Sequence, residues 1–554
     1  MAESSADLIV RNARVYTMDG AQEWAAEFAV KGGRFIAVGG AGSTDGLIGP
    51  ETRTIDAAGR MVMPGLVDVH CHPMMGGRAE LFETRFSYAE RLDAVIDHIG
   101  RAAAGTPEGA WIVGGQWGLD QLPAINTVEA LARLDAASGG RPVLLRDESY
   151  HNRWLNSEAL RRAGITPETA EPEMGSFGRD PTTGVLTGVL IEAASGLAEQ
   201  ALSASGHHTE AKDRAAMARS VATLNGFGVT AFLDAIASQP AMAALKELDR
   251  RGALTAWAVC AMPASRPSFE TGLTGDELLA LRDTFRSAHV RPDFVKIFLD
   301  GVPGARTAAF HEPYMPDPAF GCCFRGATMM SVPELIRWLG KCEKLGLSVK
   351  IHCAGDAAVS QALDAVEVVR AFEGPTRLTH HIAHASYIAP ADIGRFAELG
   401  VVADLSPILW YPTPFLEGHK AAMGKERAER FWPNRDLQIA GALMAGGSDW
   451  PVVPNPDPWD GIEGLVTRRN PSGAFGGAAL WPEQAIDLAT ALAVYTINSA
   501  KALGLGETIG SIKPGKSADF IMLDRNLFDR PADEIADTKV LATFFEGRAI
   551  HERS

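Results

Sequence analysis

Cysteine is scarce: there are six in 554 residues, and none falls in the paired spacing of a zinc ribbon. That argues against a disulfide framework and a thiolate metal site, and Cys71, Cys260, Cys322, Cys323, Cys342 and Cys353 read as small buried hydrophobes. Long apolar runs are missing too. Stretches such as Met61 to Val69 and Leu443 to Gly447 are broken by Gly, Pro or charge, well short of the roughly 18 apolar residues that suggest a membrane span. Positive charge is in deficit, with 52 Lys and Arg against 68 Asp and Glu, a formal net charge of -16. No local basic stripe offsets it, so nucleic acid and anionic lipid are set aside as partners. The opening MAESSADLIVRN carries acids and no basic, apolar leader, which makes the cytoplasm the expected location. Internal repeats and low-complexity linkers are absent.

What is present is a large globular chain, 46% hydrophobic and 22% charged, long enough for more than one domain. The first sixty or so residues read as strands, with a Gly-Gly turn at Gly32 and Gly33. SIKPGKSADFIMLD and KVLATFFEGRAIHE near the other end have the same character, following a helical stretch from Ala485 to Leu503. The two termini, residues 1–62 and 505–554, are therefore expected to pair into a composite β-sandwich. Between them, apolar runs alternate with helix-length segments, the pattern of parallel βα units. About eight such runs are identifiable: VMPGLVDVH, VTAFLDA, LTAWAVC, FVKIFLDG, LSVKIHC, RLTHHIAHA, VVADLSP and ALMAGGSD. An open doubly wound sheet fits this periodicity equally well. The placement of polar residues favours a closed (β/α)8 TIM barrel over 63–504, because His70, His72, Lys296, His352, His384 and Asp449 all fall at or just past the C-terminal ends of these runs. The stretch from Met74 to Gly228 is too long for a βα connection, so an inserted subdomain at about 76–226 is expected, with helical pieces Glu80 to Ala104, Thr127 to Ala136 and Glu210 to Asn225.

Chemistry concentrates at those strand ends. In Asp68-Val69-His70-Cys71-His72 the two histidines are two residues apart, and on a strand they project to one side, where one ion can be held by both imidazoles. Lys296 sits in an apolar run where an unpaired ammonium is costly. Either it pairs with Asp293 or Asp300, or its amine, deprotonated by burial, takes up carbon dioxide to form a carbamate able to bridge two cations. His352 ends another apolar run and suits a zinc-like ion. His380, His381 and His384 leave the next ligand open: His384 is preferred, His381 is the runner-up, and the others become substrate or supporting groups. Asp449, in Gly447-Ser448-Asp449-Trp450-Pro451, can ligate an ion and take the proton of an attacking water; the bland alternative is a turn aspartate.

These residues lie in stretches that resemble the YtcJ-like branch of the amidohydrolase superfamily, which includes N-substituted formamide deformylases. The stretches are MPGLVDVHCH, YHNRWLNSEALRRAGI, VKIFLDGVPGARTAAF, VKIHCAGDAAV, IAHASYIAPADIGRFAELGVVADLSP, GGSDWPV and TINSAKALGLGETIGSIKPGKSADFIMLD, and together they span nearly the whole chain. The resemblance implies two metal ions, usually zinc, with His70, His72 and Asp449 on one, His352 and His384 on the other, and carbamylated Lys296 between them. Three departures stand out. Ala383 replaces the usual glutamate before His384, Glu-Ser-Tyr precedes His151 where an Asp-Gly pair is usual, and the doubled histidines at 380 and 381 are untypical.

The expected activity is hydrolysis of a carbon–nitrogen bond, in a non-peptide amide or N-substituted formamide, by metal-activated hydroxide. Asp449 would move the proton and His151 would steady the developing oxyanion. Trp117, Phe310, Trp410 and Trp450 suggest an apolar or aromatic substrate, although aromatics more often serve a core. The substrate contacts expected are His151, Trp117, His381 and Trp450. Alternatives are an ester or carbon–carbon cleavage or a decarboxylation at the same site, since a Lewis acid polarises any carbonyl, or a non-catalytic barrel that binds metal or ligand. The partner expected is a small-molecule substrate, with a homodimer left open.

Overall fold

The recurring apolar runs become the staves of one parallel sheet. In the computed structural model, which describes residues 5–173, 175–265, 272–318, 320–406 and 408–553, eight strands are hydrogen-bonded in chain order. They are β1 (Leu66–Cys71), β2 (Val229–Asp234), β3 (Trp257–Pro263), β4 (Val290–Phe298), β5 (Ser348–Cys353), β6 (His381–His384), β7 (Val402–Leu405) and β8 (Leu443–Gly446). Every residue of β1, β2, β3 and β5 is buried, as expected of a parallel sheet covered on both faces. Each of the eight expected runs overlaps one of these strands; Pro407, at the end of the seventh run, lies outside the described residues.

The ladder leaves a seam between β8 and β1 that side chains and single backbone bonds draw together. Asp449 N–H donates to the His70 carbonyl at 2.7 Å, and His72 N–H donates to the Trp450 carbonyl at 2.7 Å. The buried Asp68 carboxylate accepts from His70 N–H (2.9 Å), Ser448 N–H (3.1 Å) and Ser448 Oγ (2.6 Å), tying both sides to one group. Gly447 makes the approach possible, since a Cβ there would stand 2.6 Å from the His70 nitrogen. The result is an α/β fold with a nearly closed eight-stranded parallel barrel.

The first expected run splits in two. Met61–Pro64 leaves the barrel to pair with Phe520–Leu523, and the chain re-enters at Leu66 through Gly65, whose missing Cβ makes room for the Thr230 side chain. A six-stranded sheet runs in the order Arg548–Glu552, Val540–Phe545, Phe520–Leu523, Met61–Pro64, Arg14–Tyr16, Trp24–Ala25. A four-stranded sheet runs in the order Arg34–Gly39, Glu27–Lys31, Leu8–Arg11, Arg53–Asp56. Gly32 and Gly33, at φ 54° and 76°, form the tight turn between its first two strands.

Between β1 and β2 lies a separate six-stranded sheet, with strands from Thr84–Arg85 to Leu186–Glu192, flanked by helices such as Leu92–Gly105 and Val128–Ser138. The single helix expected over Glu80 to Ala104 is interrupted. Pro73–Phe82 ends before Thr84–Arg85, which joins the sheet beside Gly114 and Gly115, where a Cβ on Gly114 would meet the Thr84 carbonyl oxygen at 2.3 Å. The helical stretch near the end is likewise two helices, Leu488–Val494 and Ile497–Ala502. Among the described residues no helix is long and apolar enough to cross a membrane.

Candidate active site

The C-terminal ends of the barrel strands converge on one cavity, lined by His70, His72, His151, Lys296, His352, His384 and Asp449 among others. His70 and His72, on alternate positions at the end of β1, aim their Nε2 atoms at a single oxygen: Asp449 Oδ1 lies 3.4 Å from His70 Nε2 and 3.2 Å from His72 Nε2. Two ligands each about 2.1 Å from a tetrahedral zinc stand roughly 3.4 Å apart, so these three donors have the spacing of one ion's coordination edges. Asp449 has φ 56°, a left-handed backbone that turns its carboxylate back over β1. Burial works against that carboxylate, but His70, His72 and His384 outweigh it and hold Asp449 well below the usual range. Burial likewise keeps His70 and His352 neutral, the form in which imidazole binds a metal. By spacing and protonation state the set fits a zinc-like ion.

Across the cavity, the His384 ring lies 4.8 Å from that of His70 and 4.4 Å from that of His352, centroid to centroid. His384 Nδ1 faces the Ser406 carbonyl at 2.7 Å, which leaves Nε2 for the cavity, and Trp432 Nε1 donates to the His384 carbonyl at 2.6 Å. His352 Nε2 faces the Gly301 carbonyl at 3.2 Å. Among the described residues the compact three-donor group is His70, His72 and Asp449; His352 and His384 adjoin it as a pair.

Lys296 projects from β4 into the same cavity. Its amine lies 4.8 Å from the Phe298 ring centroid, and among the described residues no carboxylate is within ion-pair distance of it. Both alternative partners are engaged elsewhere: Asp293 pairs with Arg286, and Asp300 accepts from the N–H groups of Ala309, Ala354 and Gly355. Burial, reinforced by the charge of Lys350, brings the Lys296 amine down to about 7, so a large neutral fraction exists near pH 7.

The remaining expected residues divide. His151 faces the cavity with its ring 5.7 Å from that of His352, and its Nδ1 is 2.9 Å from Glu192 Oε2. His381 is turned beneath the site, with Nδ1 3.3 Å from Lys350 Nζ and Nε2 2.9 Å from the Ala502 carbonyl; it stands one layer lower in the barrel interior, while His384, at φ 71°, leaves the regular strand at the mouth. Trp117 and Trp410 are core residues whose indoles donate to the carbonyls of Leu145 (3.3 Å) and Gly461 (2.9 Å). Trp450 packs on Gly76, where a Cβ would be 2.3 Å from its ring, and Phe310 packs against Tyr314 and Tyr387. None of these five lines the cavity.

The aromatic wall comes instead from Phe298, Phe415, Phe431 and Trp432, joined by Leu119, Leu409 and Val452. Phe298 was findable, two residues past Lys296 on the same strand face. Phe415, His419 and Phe431 arrive on the helix Pro414–Met423 and the loops after β7, where no periodicity announced them. Glu148 also lines the cavity. A further group lies under the floor: Asp404, on β7, is ion-paired with Lys350 and reaches His70 Nδ1 at 3.5 Å.

Residues 53–551 match the pattern of the Amidohydrolase family. The chain belongs to that family. This amidohydrolase is 28% identical to the N-substituted formamide deformylase of Arthrobacter pascens, over 99% of each chain. It is 30% identical to the protein LONG AFTER FAR-RED 3 of Arabidopsis thaliana, over 99% of this chain and 92% of that one. A crystal structure of a metal-dependent hydrolase from Pyrococcus horikoshii OT3 superposes with a TM-score of 0.73 at 25% identity, covering 95% of this chain and 99% of that one. As a family member this amidohydrolase is an enzyme, a hydrolase acting on carbon–nitrogen bonds.

Proposed function

We propose that this amidohydrolase cleaves the carbon–nitrogen bond of a small non-peptide amide, an N-substituted formamide in the first instance, with an apolar or aromatic group on nitrogen. The observation that carries the reading is the convergence of His70, His72 and Asp449 at the base of an aromatic-walled cavity. His70, His72 and Asp449 would hold one divalent ion, His352 and His384 a second, with Lys296 as its carbamate between them. Zinc is the metal we expect. When bound, such ions polarise the substrate carbonyl and ease deprotonation of the attacking water. Asp449 then accepts a proton from that water and delivers it to the departing nitrogen, so that water and formamide give formate and the amine. His151, whose pairing with Glu192 favours its charged form, is placed to donate a hydrogen bond to the oxygen that gains negative charge. Phe298, Phe415 and Phe431 exclude water from the apolar substituent.

The domain organisation that frames this site is part of the same reading. We take residues 1–62 and 505–554 as one composite β-sandwich, supported by a core in which Phe28 of the four-stranded sheet stacks edge-on against Phe520 of the six-stranded one at 4.9 Å. Residues 63–504 then form the catalytic barrel, with the insertion at about 76–226 contributing His151 and Glu148 to its mouth.

The test is metal analysis coupled to turnover. Chelation should abolish hydrolysis of N-benzylformamide and zinc should restore it, while Asp449→Asn should stay folded with kcat reduced at least 10³-fold. Formate release that survives complete metal removal, or a metal-loaded enzyme inert to amides yet active on matched esters, would overturn the assignment.

A further inference from the structure

Two acidic side chains face the cavity, and the hydrolytic reading uses one of them. Asp449 sits among the histidines, whereas Glu148 follows the strand Val143–Asp147 on the inserted subdomain. Glu148 is only 7% exposed. Its position is fixed by its own backbone: its N–H donates to the Trp117 carbonyl at 2.9 Å, and its carbonyl accepts from Gln116 Nε2 at 3.4 Å. Its carboxyl is another matter. Among the described residues no Lys, Arg or His pairs with it, and only the nearby backbone at Leu119 eases its charge.

The other buried acids of this region are all provided for. Glu83 and Glu199 share Arg146, Glu199 also takes Arg153, Glu192 has His151, and Asp147 accepts from Ser149 and Asn152. Asp147 has hydroxyl and amide donors in place of a cation, whereas the Glu148 carboxyl has neither an ion pair nor a side-chain donor among the described residues, although Lys296 and several histidines line the same cavity. Burial, with the nearby charge of Asp147, pushes its carboxyl up to about 8. A carboxyl buried without a partner is costly, and the cost is removed when a cation arrives beside it. The missing cation is therefore expected on the ligand, in the cavity that Glu148 lines.

We propose that Glu148 anchors a protonated nitrogen on the substrate, so that the preferred amides carry an apolar or aromatic N-substituent ending in a basic group. The scissile bond in this statement rests on the amide reading above; the cation subsite itself does not.

Binding separates the two. Benzamidine, a cation at pH 7 that does not need the metal, and benzyl alcohol, its neutral counterpart, are titrated calorimetrically into the metal-loaded enzyme and into Glu148→Gln. The wild type should favour benzamidine at least 10-fold, and the variant should bring that ratio to within 2-fold; ratios of dissociation constants are insensitive to any inactive fraction. Equal affinities in the wild type, or a preference that survives in Glu148→Gln, would overturn the subsite. In the kinetic arm, kcat/KM for 4-(aminomethyl)benzylformamide relative to N-benzylformamide should fall at least 10-fold in Glu148→Gln. Cation binding that follows Glu148 with neither formamide hydrolysed would uphold the subsite and sink the amide reading instead.

Discussion

Asp404 serves two masters at the barrel floor: its Oδ2 lies 3.5 Å from Nδ1 of His70 and is also the counter-ion of Lys350. Both carboxylate and ammonium are fully buried. The lysine holds Asp404 ionised against the cost of burial, and the ionised carboxylate orients the imidazole whose other nitrogen faces the metal position. Asp404→Asn should then have two separable effects. Stability should fall by about 3–5 kcal/mol because Lys350 is left as an unpaired buried charge. Zinc affinity should fall about 10–100-fold because His70 loses its support. Denaturant melts and competition with a chromophoric chelator measure the two. Adding Lys350→Met should recover the stability without recovering the affinity; recovery of both would show that Asp404 acts on the metal only through folding.

The His151 and Glu192 pair predicts a pH limb. Burial alone would lower the His151 pKa, but Glu192, 2.9 Å away, outweighs it and raises the value above the ordinary histidine one. A folded value above the unfolded one means the pair's stabilisation is fully present below about pH 6.5 and is lost as pH rises through the raised folded value. Donation to the oxyanion requires the same proton, so kcat/KM should decline over that alkaline range. Glu192→Gln removes the raising charge and should shift the decline toward lower pH. A limb that stays where it was would assign it to another group.

Lys296 tests the bridge. Its amine is buried, free of any carboxylate partner among the described residues, and brought down to about 7, conditions that favour reaction of the neutral form with carbon dioxide. Lys296→Ala should lower bound zinc from about two ions toward one, read by elemental analysis. Propionate should restore part of both metal content and turnover by supplying the lost carboxylate. Unchanged stoichiometry in the variant would exclude a bridging role.

What was legible in the sequence was what local pattern encodes. The barrel runs carry their signal in short-range apolar clustering, and a histidine two residues from another on a strand must share its face, so His70 and His72 were readable. Asp449 was readable because its run of small residues ended on a carboxylate. The cavity wall was not. Trp117 and Trp450 were expected to meet substrate because they are aromatics in the insertion or near a strand end, yet their indoles are consumed by core packing, while Phe415 and Phe431 reach the cavity on connections whose course is set by tertiary contacts. His381 and Lys350 escaped for a related reason: facing a barrel interior does not by itself say whether a side chain stands in the mouth or one layer below it, and these two stand below.

The seam between β8 and β1 gives the sharpest test of how the site depends on the fold. Gly447 is required by proximity, since a Cβ there would lie 2.6 Å from the His70 nitrogen and 2.7 Å from its Cβ. Two residues on, Asp449 N–H bonds the His70 carbonyl at 2.7 Å, so any separation of the strands moves one metal-binding residue against another. Overpacking of this kind costs about 1–3 kcal/mol, which a barrel of this size should survive. A displacement near 1 Å between catalytic groups costs on the order of 10² in rate. Gly447→Ala should therefore remain folded with a modest drop in Tm, while zinc affinity and kcat fall at least 10²-fold together. Gly340→Ala, in the helix Val332–Leu345 with open space around the added methyl, is the control and should leave both unchanged while stabilising slightly. If Gly447→Ala lost stability but kept metal affinity and rate, the seam would be a feature of the scaffold alone, and His70 and Asp449 would owe their convergence to something other than the closing of the barrel.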